Sequence, residues 1–261
     1  MALVTVAPAE NGVTTLTLNR PEARNALSIE MCDAIVAGFE EIDRDERARV
    51  VVLAGEGKVF CSGADFAAVS GPGALDFLPA FERMLEAVAH FRLPVIARIH
   101  GAALGGGLQL ATVCDFRIVE DKVRLGIPSS RLGIVINFEN VQRLVVLAGV
   151  ARAKEVLLTA RTFTGAEAAA AGLATAAHPT SELEGETGVL AHQIASLAPL
   201  AVQGAKRAID AVQSHLAGVR TTSPETAEEI DALVVEAYNS TDLAEGLAAM
   251  SEKRAPNFRG E

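Results

Sequence analysis

This chain of 261 residues lacks most of the patterns that announce a chemistry. Its three cysteines, Cys32, Cys61 and Cys114, are odd in number, unclustered and set among apolar neighbours. That argues against a disulfide framework and for buried thiols in a reducing, cytoplasmic setting. Five histidines, at positions 90, 100, 178, 192 and 215, show no metal-ligand spacing and adjoin no cysteine or carboxylate cluster, so no metal is expected. "GEGKVF" pairs glycine with lysine but has neither the earlier glycine of a P-loop nor a following Ser or Thr, and no G-x-G-x-x-G follows a strand. Nucleotide-dependent phosphoryl or hydride transfer is therefore not expected. Neither a G-x-S-x-G elbow nor a Cys-His arrangement is legible.

Positive charge is scarce as well. With 23 Lys and Arg against 33 Asp and Glu, the formal net charge is -10, which leaves no electrostatic footprint for nucleic acid or an anionic membrane. Individual basic residues can still meet a small anionic ligand. The opening stretch, "MALVTVAPAENG", has no basic region and no long apolar run of a signal peptide. No segment approaches the ~18 uninterrupted apolar residues of a membrane span. A cytoplasmic protein without a membrane span is the expectation. No repeat of fixed period is visible.

What is present is a chain half apolar by composition, enough for one large domain or a domain with a helical appendage. Residues 3 to 8 and 13 to 18 flank Asn11-Gly12 and predict a β-hairpin. Ser28 can cap a helix whose apolar positions Ile29, Cys32, Ile35, Val36, Phe39 and Ile42 follow the 3.6 period. "RVVVLAGEG" reads as a strand buried on both faces. A loop with Gly63, Gly71 and Gly73 follows, then a helix near 75 to 91, a strand "PVIARI", a glycine turn, a helix near 106 to 113 and a strand "DFRIVE". Strands alternating with helices predict an α/β core, placed at residues 1–198. From about residue 139 strand signals almost vanish, so 139 to 178 form a transition. Residues 199–261, beyond the break at "SLAPLA", are expected to be a helical C-terminal region, with Ser223-Pro224 and Thr241 starting its last two helices.

Two glycine-bearing loops, "VFCSGADFAAV" and "HGAALGGGLQL", each follow a predicted buried strand. Glycines there permit tight strand-to-helix packing. They also let backbone N–H groups from two loops, one at a helix start, converge as an oxyanion hole on a carbonyl that gains negative charge. Both readings stand on the residues alone.

With these loops, "NRPEARNALS" before the first helix and "EKRAPNF" near the end, the chain resembles the enoyl-CoA hydratase/isomerase family, the crotonase superfamily, over essentially its whole length. The resemblance implies a crotonase-like spiral of repeated β-β-α units with a helical C-terminal region that mediates trimerisation, as a homotrimer or a hexamer of two trimers. It implies a coenzyme A thioester as the ligand, with no separate cofactor. Carried over position by position, the N–H groups of Ala64 and Gly106 match the oxyanion hole. Arg24, together with Ser62 and Asp65 of "SGAD", matches the CoA-binding segment, and Lys253 and Phe258 match residues that reach a CoA held by an adjoining subunit. For Arg24 and Lys253, an ordinary solvated charge is the other reading.

The same resemblance exposes a gap. Hydratases of the family use two glutamates, and those positions match Gln109 in "GGGLQ" and Ser129 in "GIPSSRLG". An amide does not titrate usefully and an unassisted serine is too weak a base. The carboxylate that some isomerases place further on matches Asn137, again an amide. Glu139 is the one carboxylate in that stretch; it is the candidate base, or else an acidic residue in the first turn of a helix. Bulky residues in "INFEN" should reshape the acyl pocket, with Phe138 as wall or core. The pattern resembles bacterial members that lack the usual catalytic acids, and three functions follow as hypotheses. The first is a fatty acyl-CoA binding protein in lipid metabolism. The second is an enoyl-CoA isomerase using Glu139, or a slow enoyl-CoA hydratase. The third is a scaffold acting through its helical C-terminal region.

Overall fold

The structure is a computed structural model that describes residues 2–69, 74–219 and 232–259. β1 (Val4–Val6) pairs antiparallel with β2 (Val13–Leu18), with Val4 opposite Leu18. Asn11 and Gly12 form the turn with φ of 50° and 81°, the left-handed pair that a two-residue hairpin loop requires. α1 (Ile29–Asp43) starts at Ser28, whose side chain accepts the Met31 N–H, and buries Cys32, Ile35, Phe39 and Ile42 as the 3.6 spacing predicts.

Beyond this hairpin the chain winds as a spiral in which each turn gives one strand to a large sheet, a shorter one to a small sheet, and then a helix. β3 (Val50–Gly55), β4 (Val95–Ile99) and β6 (Phe116–Glu120) run parallel in a six-stranded sheet of order β1-β2-β3-β4-β6-β8. β5 (Ala102–Leu104) and β7 (Arg124–Gly126) pair parallel in a second sheet. Isolated bridges extend that sheet on either side, from Cys61 to Ala103 and from Leu125 to Phe163. α2 (Phe66–Val69) and α3 (Ala74–Ala89) follow the first turn of the spiral, and α4 (Gly106–Thr112) follows the second. A 3-10 turn at Ser129–Arg131 and α5 (Phe138–Thr159) follow the third.

β3 is buried on both sides, as its unbroken apolar run predicts. Val51 and Leu53 face the main core with α1 and α3, while Val50 and Val52 join Ile96, Ile118, Leu183 and Ala191 under α7 (Thr180–Ala195). α6 (Gly165–Ala170) precedes β8 (Ala176–His178), which pairs with β6. β5, β7 and β8 fall where the sequence predicts no strand. Each is three residues long and β5 and β8 are mostly alanine, so strand geometry comes from the neighbouring ladder and not from local preference.

α8 (Pro199–Val219) begins at the predicted break. It is anchored by Lys206 Nζ, which donates to the Leu93 carbonyl at 3.0 Å and to Asp115 Oδ2 at 2.7 Å. α9 (232–238) leads to α10 (Thr241–Glu252), whose N-cap is Ser240. Leu243 and Leu247 of α10 are part of the main core, so this segment packs on its own chain. Gly71, Gly73 and the Ser223-Pro224 start lie outside the described residues. Among the described residues no helix is long and apolar enough to cross a membrane.

Candidate functional site

The two glycine loops meet. Cys61 N–H donates to the Ala102 carbonyl and Leu104 N–H to the Cys61 carbonyl, both at 3.1 Å. This bridge holds the strands three residues before Ala64 and Gly106. Gly63 has φ of 104°, and a Cβ there would lie 2.7 Å from the Leu104 carbonyl oxygen; only glycine fits both demands. A Cβ on Gly107 would lie 2.5 Å from the Cys61 carbonyl oxygen. The loops therefore approach backbone to backbone, with no room for side chains between them.

Leu27 fixes the direction of the Ala64 amide. Its N–H donates to the Gly63 carbonyl at 2.8 Å, and its carbonyl accepts the Asp65 N–H at 2.7 Å. Ladder bonds thus engage the residues on either side of Ala64 and turn its own N–H to the opposite side. Neither that N–H nor that of Gly106, the first residue of α4, has an acceptor among the described residues. Both residues line a cavity of about 610 Å³.

The cavity has an apolar floor and a polar wall. Phe77 and Phe81 of α3 stack with ring centroids 5.4 Å apart, and Leu132, Ile134 and Ile136 come from the segment before α5. Gln109, only 7% exposed, and Ser129 both face this space, and neither side chain has a hydrogen-bond partner among the described residues. Asn137 and Asn140 line it too. Tyr238, Leu247 and Met250 close it from the C-terminal helices, so a region expected to serve assembly also forms a wall of this chain's own pocket.

The structure separates the acidic candidates. Glu139 stands in the first turn of α5, where its carboxylate binds Arg143 Nη2 at 2.5 Å, and it lines a different cavity of about 840 Å³ behind α5. One helical step, 100° of rotation, separates it from Asn140 on the pocket face. The carboxylate that the sequence reasoning missed is Glu82 of α3. Its Oε1 accepts from Asn137 Nδ2 at 3.0 Å and from Asn140 Nδ2, and its Oε2 from Arg143 Nη1 at 3.2 Å. Burial pushes the Glu82 carboxyl above its ordinary range against the opposing pull of Arg143 and the two amides. Nothing in the local pattern of α3 distinguishes Glu82 from a solvated helix residue. Phe138, the first residue of α5, is only half-buried and does not line the pocket.

At the mouth, Arg24 is exposed and adopts φ of 55°, and its carbonyl accepts the Ser62 N–H at 3.1 Å. Asp65 is ion-paired with Arg20 at 2.6 Å, so its carboxylate braces the loop. Asn25, fully buried, holds this region: it accepts the Arg20 N–H and donates to the Glu56, Val59 and Phe60 carbonyls. Lys253 and Phe258 lie exposed on the surface of the chain and do not line this pocket.

The chain and its fold have counterparts in known proteins. A family model described as Enoyl-CoA hydratase/isomerase matches residues 8–261. The chain is 35% identical over 265 residues to the probable enoyl-CoA hydratase echA6 of Mycobacterium leprae, covering 99% of this chain and 100% of that protein. It is 34% identical over 256 residues to the probable mitochondrial enoyl-CoA hydratase 2 of Arabidopsis thaliana, covering 97% and 83%. Its structure is similar to that of a methylmalonyl-CoA decarboxylase in complex with 2-nitronate-propionyl-CoA, with a TM-score of 0.89, 28% identity and 99% of both chains covered. It is also similar to an enoyl-CoA hydratase of Mycobacterium avium subsp. paratuberculosis, with a TM-score of 0.85, 25% identity and 99% of both chains covered. A spiral that zips two glycine loops together beneath an apolar pocket, matched along nearly its whole length, places this chain in the enoyl-CoA hydratase/isomerase family.

Proposed function

We propose that this protein binds a fatty acyl-CoA thioester, holding the thioester oxygen on the N–H groups of Ala64 and Gly106 and the acyl chain among Phe77, Phe81, Ile134 and Ile136. The observation that carries this is the pair of amides without acceptors at the wall of an apolar cavity. The similarity to a decarboxylase solved with a propionyl-CoA analogue supports the ligand class. Arg24 and Ser62 meet the CoA moiety at the mouth, with Arg20 and Asp65 stiffening that loop. The ligand is the CoA thioester itself, and no metal or separate cofactor takes part.

Efficient hydration is not its activity. Two groups must handle a water and a carbon-bound proton, and each typically contributes roughly a hundredfold to ten-thousandfold. Gln109 and Ser129 stand at the pocket as hydrogen-bonding groups that carry no proton at neutral pH. An isomerase built on Glu139 is disfavoured by its place behind α5, paired with Arg143. The protein acts in the cytoplasm as a homotrimer or hexamer, in which Lys253 and Phe258 reach a neighbour's CoA. Their exposure, and that of Leu200, Ile209 and Val212 on α8, supports such an assembly.

The test is calorimetric titration with a long saturated acyl-CoA, paired with an absorbance assay of enoyl-CoA loss on the same preparation. Saturable binding with negligible hydration is expected. Absence of binding sinks the proposal, and hydration at an enzymatic rate removes its second half.

A further inference from the structure

The pocket wall formed by α3 contains a carboxylate that neither hydration nor simple binding uses. α3 turns Phe77, Leu78, Phe81 and Glu82 to the cavity. The Phe81 ring lies 3.1 Å from the position of a Cβ on Gly106, so Glu82 directly follows the residue packed on an oxyanion donor. Two other carboxylates line the cavity, Glu22 and Asp65, and both belong to the mouth, Asp65 on Arg20. Glu82 is part of the wall shared with Asn137 and Asn140, and its side chain is 21% exposed.

Its surroundings fix it without neutralising it. Asn137 and Asn140 both donate to Oε1, and Arg143 reaches Oε2 while sharing its charge with Glu139. A carboxylate offers about four acceptor positions; these contacts use three and leave one on Oε2. The clamp also keeps the side chain in a single orientation, which a proton-transferring group needs. Burial raising the affinity of Glu82 for a proton acts in the direction that suits a base.

We propose that Glu82 is the base of this pocket, taking the α-proton of the bound acyl-CoA thioester to its carboxylate. The inference rests on the acyl-CoA reading of the site. In the step, the C–H bond α to the carbonyl breaks and its electron pair forms a C=C bond to the thioester carbon. The carbonyl π pair moves to oxygen, where the Ala64 and Gly106 N–H groups receive the negative charge, and the proton forms an O–H bond on Glu82. Reversal returns a proton to the same carbon, so no oxidant, reductant or co-reactant is consumed. A single base suffices for this chemistry, whereas hydration needs a second group to activate water.

The experiment is deuterium exchange at the α-carbon of octanoyl-CoA in D2O, followed by proton NMR and mass, with octanoyl-CoA affinity measured by calorimetry on the same variants. Wild type should exchange well above the enzyme-free rate. Glu82→Gln keeps an acceptor for the two Asn amides and should slow exchange by about a hundredfold to ten-thousandfold while affinity changes by less than about tenfold. Undiminished exchange in Glu82→Gln overturns the proposal, as does wild-type protein that binds octanoyl-CoA yet does not exchange it; absence of binding overturns the acyl-CoA reading and this inference together. If Glu82→Gln does not fold, Glu82→Asp keeps the charge and shortens the reach by one methylene. Exchange there should fall at least about tenfold, and an unchanged rate in folded protein rejects Glu82 as the base.

Discussion

Asn137 joins two elements with one side chain. Its Nδ2 donates to Glu82 Oε1 on α3 at 3.0 Å, and its Oδ1 accepts the Asn140 N–H at 3.1 Å as the N-cap of α5. The start of α5, the wall of the pocket and the setting of the Glu82 carboxylate are therefore mechanically one unit.

Asn137→Ala should remove cap and clamp together. Loss of a cap of this type costs about 1 kcal/mol, and a lost hydrogen bond to a carboxylate adds about 1.5–3 kcal/mol. Asn137→Asp keeps the cap but sets a second carboxylate against Glu82, which raises the Glu82 pKa further. Urea unfolding of the two variants should show both less stable than wild type, with the Asp variant recovering as the pH is lowered.

Glu82 also carries a pH signature. Its folded pKa lies above the ordinary 4.5 because of burial, with Arg143 and the amides opposing. The folded state thus binds this proton more tightly than the unfolded chain, and the associated stability is present below pH 4.5 and lost as pH rises through the folded value. Wild type should lose stability relative to Glu82→Gln over that window. A difference independent of pH would show that burial does not dominate at this carboxyl.

Gly106 permits a direct deletion of one of the two N–H groups proposed to hold the thioester oxygen. It is the first residue of α4, a position where proline is compatible with a helix, and proline has no N–H. A Cβ there would lie 3.1 Å from the Phe81 ring and 3.3 Å from Leu27 Cδ1, so both side chains must give by a few tenths of an ångström to accept it. Gly106→Pro that remains folded by circular dichroism should slow α-proton exchange roughly a hundredfold to a thousandfold. An unaltered rate would mean that the Gly106 amide does not meet the thioester oxygen.

The thiols should be inert. Burial pushes Cys32, Cys61 and Cys114 up to about 12, and the thiol form is a poor nucleophile. Titration with an aromatic disulfide reagent at pH 8 should leave all three unreacted in native protein and count all three after denaturation. Rapid reaction of any one would place it at the surface.

Much of this architecture was legible because it depends on local rules. Ser28 before an apolar 3.6 period predicts α1, and an unbroken Val-Val-Val-Leu run predicts a strand covered on both faces. β5, β7 and β8 were not legible, since three residues carry too little pattern and the partner strand supplies the rest.

The site divides along the same line. Sequence alone determined that two glycine loops follow buried strands, and the resemblance to the family set Gln109 and Ser129 at positions where hydratases are expected to carry glutamates; both readings depend only on which residue stands at which place in the chain. Which carboxylate joins the pocket wall beside Asn137 and Asn140 was decided only by tertiary structure. Glu139 and Asn140 are adjacent in sequence, yet 100° of helical rotation sends them to different cavities. Glu82 reaches the pocket from a helix 57 residues before Glu139, because α3 meets α4 and Glu82 itself bonds to Asn140 and Arg143 of α5, and a contact between distant segments leaves no local trace in the chain.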